Sequence, residues 1–343
     1  MVRAVGTHGR YLTPDYDYSL LMGESLAGNL FFIVGTGRCG TTLLRSMLCA
    51  HSRIHVPPET HFFHRWDPLI PQFGGDPLPA DRLDAYLDAW FASQNWIDQG
   101  LDRGEFESRV RASDRTARSI FLIFAEASSR QSGKPRIGEK TPIHSRRVPR
   151  IHAVFPEAKF IHIYRDPRDV TASLLRMPWA NGTARDFARR WVKIINEQSA
   201  VQRLLPPEHY FSIKYEALVS DPSDHLVRLC RFLDEPFEPE MLAAHDSARK
   251  QFPVRFPDWQ QQTTEPVNTK PVGRFMKDLT PRQLACVERV AGPLMDRLGY
   301  DRVYAWRQYD PRWVTSDVSA HLYGKIRRWF RQSAAPAGHS MDK

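Results

Sequence analysis

Cysteine is scarce in this chain and never paired by spacing. Four occur among 343 residues, at Cys39, Cys49, Cys230 and Cys286, with no C-x-x-C pattern. A disulfide framework is therefore not expected, and the thiols read as reduced ones in a cytoplasmic protein. Long apolar runs are lacking too. The most apolar stretch, residues 18–34, is interrupted by Gly23, Glu24, Gly28 and Asn29 and fails as a transmembrane span. Residues 1–14 are polar and lack the apolar segment of a secretory leader. No zinc-finger or RNP-like motif occurs, no internal repeat, and no ligand set with metal spacing; His61 and His64 do not form H-E-x-x-H. The expectation is a soluble protein without metal, membrane span or nucleic-acid partner.

Charge of one sign is in mild excess. Forty-eight Lys and Arg against 39 Asp and Glu give a net charge of +9, which favours anionic partners. The basic residues are scattered and form no stripe, which speaks against nucleic acid. With 42% hydrophobic and 25% charged residues, the chain has the composition of a soluble globular protein able to bury a sizeable core.

The most telling segment joins Leu30, Phe31, Phe32, Ile33 and Val34 to the turn Gly35, Thr36, Gly37, Arg38, Cys39, Gly40, Thr41 and Thr42. A buried strand runs into a glycine-rich turn and then an amphipathic helix, with Leu43, Leu44, Met47 and Leu48 on one face. Free N–H groups at the start of that helix make an anion hole of phosphate size. The two glycines, Gly35 and Gly40, have P-loop spacing, yet Thr41 stands where a P-loop has lysine and the cation is Arg38. An NTP-using enzyme needs that lysine at the β- and γ-phosphates. The loop therefore suits a phosphorylated group other than an NTP tail. A P-loop-type small-molecule kinase and a non-catalytic polyanion- or nucleic-acid-binding protein stand as alternatives.

Residues 1–28 read as an N-terminal arm, 29–300 as a single α/β domain, and 301–343 as a C-terminal extension whose last ten residues are expected to be disordered. Short strands are expected at 54–56, 136–138, 159–164 and 210–214. Helices are expected at 81–93, 109–129, 148–155, 186–205, 222–233 and 281–298. This alternation predicts a P-loop-like parallel sheet flanked by helices. Residues 65–130 read as a helical insertion after the second strand, and 246–280 as a long loop covering the substrate or cofactor. The aromatic residues Phe62, Phe63, Trp66, Phe73, Trp90 and Trp96 fall in a region expected to line the acceptor site, although aromatics at helical spacing also suit a core.

Three further groups carry chemistry. Arg165 ends a strand and Ser173 lies about two turns into the next helix, opened by Asp166 and Pro167. Ligands of open α/β sheets bind beyond such strand ends, so the two residues can clasp a second phosphate. Arg168 and Asp169 read as a surface salt bridge. Glu59, in Pro57, Pro58, Glu59, Thr60 and His61, follows the second strand and can take a proton from a hydroxyl. Lys140, in Glu139, Lys140, Thr141 and Pro142, follows a short strand and can neutralise charge on a leaving phosphate.

Taken together, these residues resemble the family of sulfotransferases that use 3′-phosphoadenosine 5′-phosphosulfate (PAPS). The resemblance rests on residues 32–47, 138–142 and 160–173, and is closest to the branch that holds tyrosylprotein sulfotransferases and many bacterial enzymes. It implies a donor, PAPS, a product, 3′,5′-ADP (PAP), no metal, and a hydroxyl-bearing acceptor; a homodimer is compatible with it. It implies that Gly37, Arg38, Cys39, Gly40, Thr41 and Thr42 hold the 5′-phosphosulfate, and that Arg165 and Ser173 hold the 3′-phosphate. Glu59 is then the general base, with Lys140 and Arg38 stabilising the leaving group. Tyr215 falls at the nucleoside, Thr264 and Arg274 close over the donor, and His61 and Arg65 face the acceptor. Cys39 replaces the family's usual serine, and its place at a helix N-terminus suggests an acidic, oxidisable thiol. His61 stands where the tyrosylprotein branch has arginine, which favours a small molecule, carbohydrate or lipid over protein tyrosine.

Overall fold

The computed structural model describes residues 26–244 and 265–304, to which every structural statement refers. The expected disordered end, the residues of the covering loop before Glu265, and Thr264 lie outside them. The strands are β1 (Phe31–Gly35), β2 (Ile54–His55), β3 (Arg136–Lys140), β4 (Lys159–Tyr164) and β5 (Tyr210–Lys214). They form one sheet of order β2-β3-β1-β4-β5 with every pairing parallel. All five residues of β1 are buried, as expected of a central parallel strand covered on both faces.

Helices complete the layers. In chain order they are α1 (Thr41–Cys49), α2 (Leu83–Phe91), α3 (Gln94–Ile97), α4 (Arg103–Ala112), α5 (Ala117–Ser132) and α6 (Val148–Val154). They continue with α7 (Pro167–Leu175), α8 (Ala184–Leu204), α9 (Tyr215–Ser220), α10 (Pro222–Phe232), α11 (Phe275–Asp278) and α12 (Pro281–Arg297). Alternation along β1 sorts its side chains between two cores. Phe32 and Val34 join one with Phe63, Trp90 and Phe121, and Phe32 stacks on both Phe121 and Phe160 at 5.7 Å between ring centroids. Phe31 and Ile33 join the other with Leu44, Met47 and Leu48 of α1 and Leu226 and Leu229 of α10.

The expected strands and helices appear with small shifts at their ends, and one helix is split. The expected helix over 109–129 breaks at 113–116. There Arg115 takes a left-handed φ of 61°, and the Asp114 carboxylate accepts the Thr116 N–H. Thr116 then caps α5. Leu26 and Ala27, placed in the arm by sequence, are buried, and Leu26 joins the Phe32 core. The insertion's aromatics are core as well: Phe62, Phe63, Trp66, Trp90 and Trp96 are buried against one another, and Phe73 packs against them. Burying rings of 150–250 Å² outweighs displaying them on a ligand platform. Among the described residues no helix is long and apolar enough to cross a membrane.

Candidate active site

The carboxyl ends of all five strands converge on one rim. β1 delivers the glycine turn, β2 the Pro57–Glu59 loop, β3 Lys140, β4 Arg165 and β5 Tyr215. Beyond β1, Gly40 sits at φ 100° at the start of α1, and a Cβ there would collide with the Tyr215 ring. Both the backbone angle and this close approach demand glycine. Among the described residues no side chain caps α1; of its first N–H groups the Thr41 amide donates to the Cys39 thiol, which leaves those of Thr42 and Leu43 in the first turn. Among the described residues, a Cβ on Gly37 would meet nothing within 4 Å beyond its own chain neighbours.

Three cations gather at this turn. Arg38 donates from Nε to Ser173 Oγ at 3.0 Å, which joins the two phosphate clasps read from the sequence. Burial and then the positive charges of Arg165 and Arg176 lower the Arg38 pKa. Arg165 is held in several ways. Its guanidinium stacks 4.5 Å from the Tyr215 ring centre, and it donates to the carbonyls of Arg38, at 3.4 Å, and Pro271. Its backbone carbonyl accepts from Trp191 Nε1 of α8 at 2.9 Å. Its Nε is buried and has no hydrogen-bond partner among the described residues.

Cys39 contradicts its sequence reading. The thiol is fully buried, and desolvation pushes its pKa up to about 11, outweighing the hydrogen bonds and Arg165, which act to lower it. It faces the core with Leu44 and Ile163 and is neither acidic nor accessible. Thr41 is buried while Thr42 is half-buried on the first turn of α1.

On the acceptor side, Lys140 Nζ donates to Glu59 Oε1, and His61 Nε2 lies 3.3 Å from Glu59 Oε2. Lys140 is almost fully buried; the Glu59 carboxyl keeps 34% exposure. Burial alone would raise the Glu59 pKa, but Lys140 and His61 outweigh it and hold the carboxyl down to about 2. Helix α3 and the turn after it brace the loop: Asn95 Nδ2 donates to the Glu59 carbonyl at 3.3 Å and Gln99 Nε2 to the Pro58 carbonyl at 3.4 Å. Arg65 lies over the Trp66 ring at 5.1 Å, one turn beyond His61.

Beneath this pair lies a polar cluster with no role in the sequence reading. The buried Glu139 carboxylate accepts from Thr60 Oγ1 at 2.9 Å and Thr141 Oγ1 at 2.6 Å, and pairs with His144 Nδ1 at 2.8 Å. Thr141 Oγ1 in turn accepts the His61 N–H at 3.3 Å. Glu139 thus ties the residue after Glu59 to the residue after Lys140. The period of two along β3, which turns Glu139 away from Lys140, is the sequence signal for it.

Arg168 and Asp169 are not on the surface, as their charge alone suggested. Arg168 pairs with Asp166 and with Glu288 of α12, at 2.6 and 2.7 Å, and all three are buried. Buried charges persist only when paired in this way. Arg274 lies beside the Asp169 contacts described below, with its side chain 3.4 Å from Asp278. Arg176, absent from the sequence reading, is close enough to depress the Arg38 pKa, and also pairs with Asp278.

Known proteins give the site its context. The chain is 25% identical over 283 residues to a putative protein-tyrosine sulfotransferase of Caenorhabditis briggsae, covering 79% of this chain and 89% of that protein. It is 25% identical over 314 residues to the omega-hydroxy-beta-dihydromenaquinone-9 sulfotransferase Stf3 of Mycobacterium bovis, covering 79% and 75%. Its fold is similar to the sulfotransferase domain of the Synechococcus PCC 7002 olefin synthase, with a TM-score of 0.58 at 21% identity over 79% of this chain and 95% of that domain. Residues 31–239, which span the sheet and every strand end on the rim, match the profile of the Sulfotransferase family, and to that family the chain belongs.

Proposed function

We propose that this chain transfers a sulfuryl group from PAPS to a hydroxyl of an acceptor, with Glu59 as general base. The observation that carries the reading is the Lys140–Glu59 pair set beside an uncapped helix N-terminus and the cations Arg38 and Arg165. The residues fit an anionic nucleotide. The Thr42 and Leu43 N–H groups of α1 and the Arg165 Nε, which has no hydrogen-bond partner among the described residues, are donors suited to phosphate oxygens. Arg38 with Gly40, Thr41 and Thr42 would hold the 5′-phosphosulfate, Arg165 and Ser173 the 3′-phosphate, and Tyr215 the nucleoside. Bound PAPS supplies the activated sulfuryl group.

The proton chemistry belongs to the protein. With its carboxyl at about 2, Glu59 is a poor base while Lys140 holds it. A Lys140 that turned to an anionic donor would loosen its hold on Glu59, and a Glu59 freed from it would become more basic because burial raises its pKa. Glu59 then takes the acceptor's hydroxyl proton while Lys140, Arg38 and the α1 N-terminus stabilise charge on the departing phosphate. His61 and Arg65 flank the acceptor. The relatives' names span a protein tyrosine and a menaquinone lipid. His61 in place of arginine leads us to a small-molecule, carbohydrate or lipid hydroxyl.

Thermal-shift titration with PAP, ADP and ATP plus magnesium tests the donor. A ligand that binds only the native state raises the melting temperature. A shift with PAP that needs no magnesium is expected; a shift with ATP and magnesium but none with PAP would overturn the reading in favour of a kinase.

A further inference from the structure

Asp169 lies one helical turn beyond Arg165, and its carboxylate is buried. A carboxylate in that position must be fully partnered to persist. Its partners all belong to one place. Oδ2 accepts the Gly273 N–H and Oδ1 the Phe275 N–H, both at 2.9 Å, and Arg165 Nη2 lies 3.4 Å from Oδ2. The same Arg165 Nη2 donates to the Pro271 carbonyl. Asp169 and Arg165 therefore grip one stretch of backbone from its two polar sides, the carboxylate taking N–H groups and the guanidinium giving to a carbonyl. Gly273, at φ 73°, bends the chain so that both amides reach one carboxylate. The rest of the stretch is seated on α7 as well. Phe275 lies under the Arg168 guanidinium at 4.1 Å and packs with Ala172, Leu279 and Leu284.

We propose that Asp169 is the positioning residue of the donor-phosphate clasp: it fixes Arg165 and seats residues 271–275 against it, so that guanidinium and segment meet the anion as one unit. This rests on the donor reading above. Asp169 does not touch the ligand; it acts through Arg165 and through the two amides it holds. A purely structural Asp169 would govern melting temperature and leave PAP affinity in the folded protein alone.

The test is calorimetric titration of PAP into the wild type, Asp169→Asn, Arg165→Ala and the double variant, each below its melting temperature. Asparagine keeps the shape, loses the charge, and sets an N–H donor against one backbone N–H. Asp169→Asn is expected to bind PAP about 10- to 100-fold more weakly, the worth of a charge-assisted hydrogen bond. The double variant should lose less than the sum of the singles, because one residue acts through the other. Amide hydrogen exchange on the wild type gives a readout that needs no variant: PAP should slow exchange at Gly273 and Phe275 together with the turn around Arg38. Wild-type affinity in Asp169→Asn, or PAP protection confined to the Arg38 turn, overturns the proposal while the donor reading stands. A wild type that does not bind PAP overturns the donor reading itself.

Discussion

Lys140 and Glu59 are joined by an ion pair across the ends of neighbouring strands β3 and β2, with the lysine buried and the carboxyl one-third exposed. The two groups assigned to proton and charge handling are thus each other's counter-ion before any ligand arrives. A Lys140→Met variant is expected to raise the Glu59 pKa from about 2 by leaving burial unopposed by its main cation. Carboxyl-carbon NMR titration of Glu59 reads that shift, and an unmoved resonance would show that the pair does not control the base.

Glu59→Ala should lower turnover by about 10²–10⁴-fold, the usual contribution of a general base. PAP affinity, measured by calorimetry, should change little. An active Glu59→Ala enzyme would shift the proton-taking role to His61, which lies 3.3 Å away.

Acid should weaken the fold through Glu59 in a defined window. Lys140 and His61 hold its native pKa down to about 2, against an ordinary value of 4.5. The stabilisation it gives is complete above about 4.5 and is lost as pH falls through 2. His162 adds a second loss, at milder pH. Burial lowers its pKa to about 3, so the unfolded chain takes up a proton below about 6.5 that the native chain refuses. Stability should fall as pH drops from 6.5 toward 3, and His162→Phe should flatten that part of a urea-denaturation pH series. An unchanged slope would contradict the assignment.

Removing Glu139 should cost more stability than its distance from the ligand suggests. Glu139→Ala strips the acceptor from two buried threonine hydroxyls and from His144, whose Nε2 already lacks a partner among the described residues. A loss of about 2–4 kcal/mol is expected in urea unfolding. A loss below about 0.5 kcal/mol, within the range of surface substitutions, would show that the cluster relaxes around the gap.

Much of this architecture was legible in the chain. The apolar run at Phe31 and Phe32 and the Asp166–Pro167 start of α7 are local signals, and both elements appear where those signals stand. The glycine turn was equally plain, since its chemistry lies within eight consecutive residues. Cys39 was misread because helix-terminal position is visible in sequence and burial is not; desolvation outweighs the turn's electrostatics. Asp169 and Arg168 were misread for the same reason. Their partners, Gly273, Phe275 and Glu288, lie more than a hundred residues away, and no local pattern announces such pairings.

The all-parallel sheet has a consequence for how the site comes into being. The site is assembled from the ends of all five strands, and parallel neighbours can be joined only through long crossovers, so the parts of the site are separated in sequence by large loops. Such non-local pairing makes folding slow, and no fragment short of the whole sheet holds the site. Register is the point of vulnerability. A slip of one residue in β3 would exchange the faces of Glu139 and Lys140, leaving an ammonium among the buried threonines and a carboxylate facing Glu59. Gly138 guards against that slip. The Phe31 ring fills the space a Cβ would need there, so another residue of the strand cannot take its place. One missing methyl group thereby selects which of two adjacent charges reaches the rim.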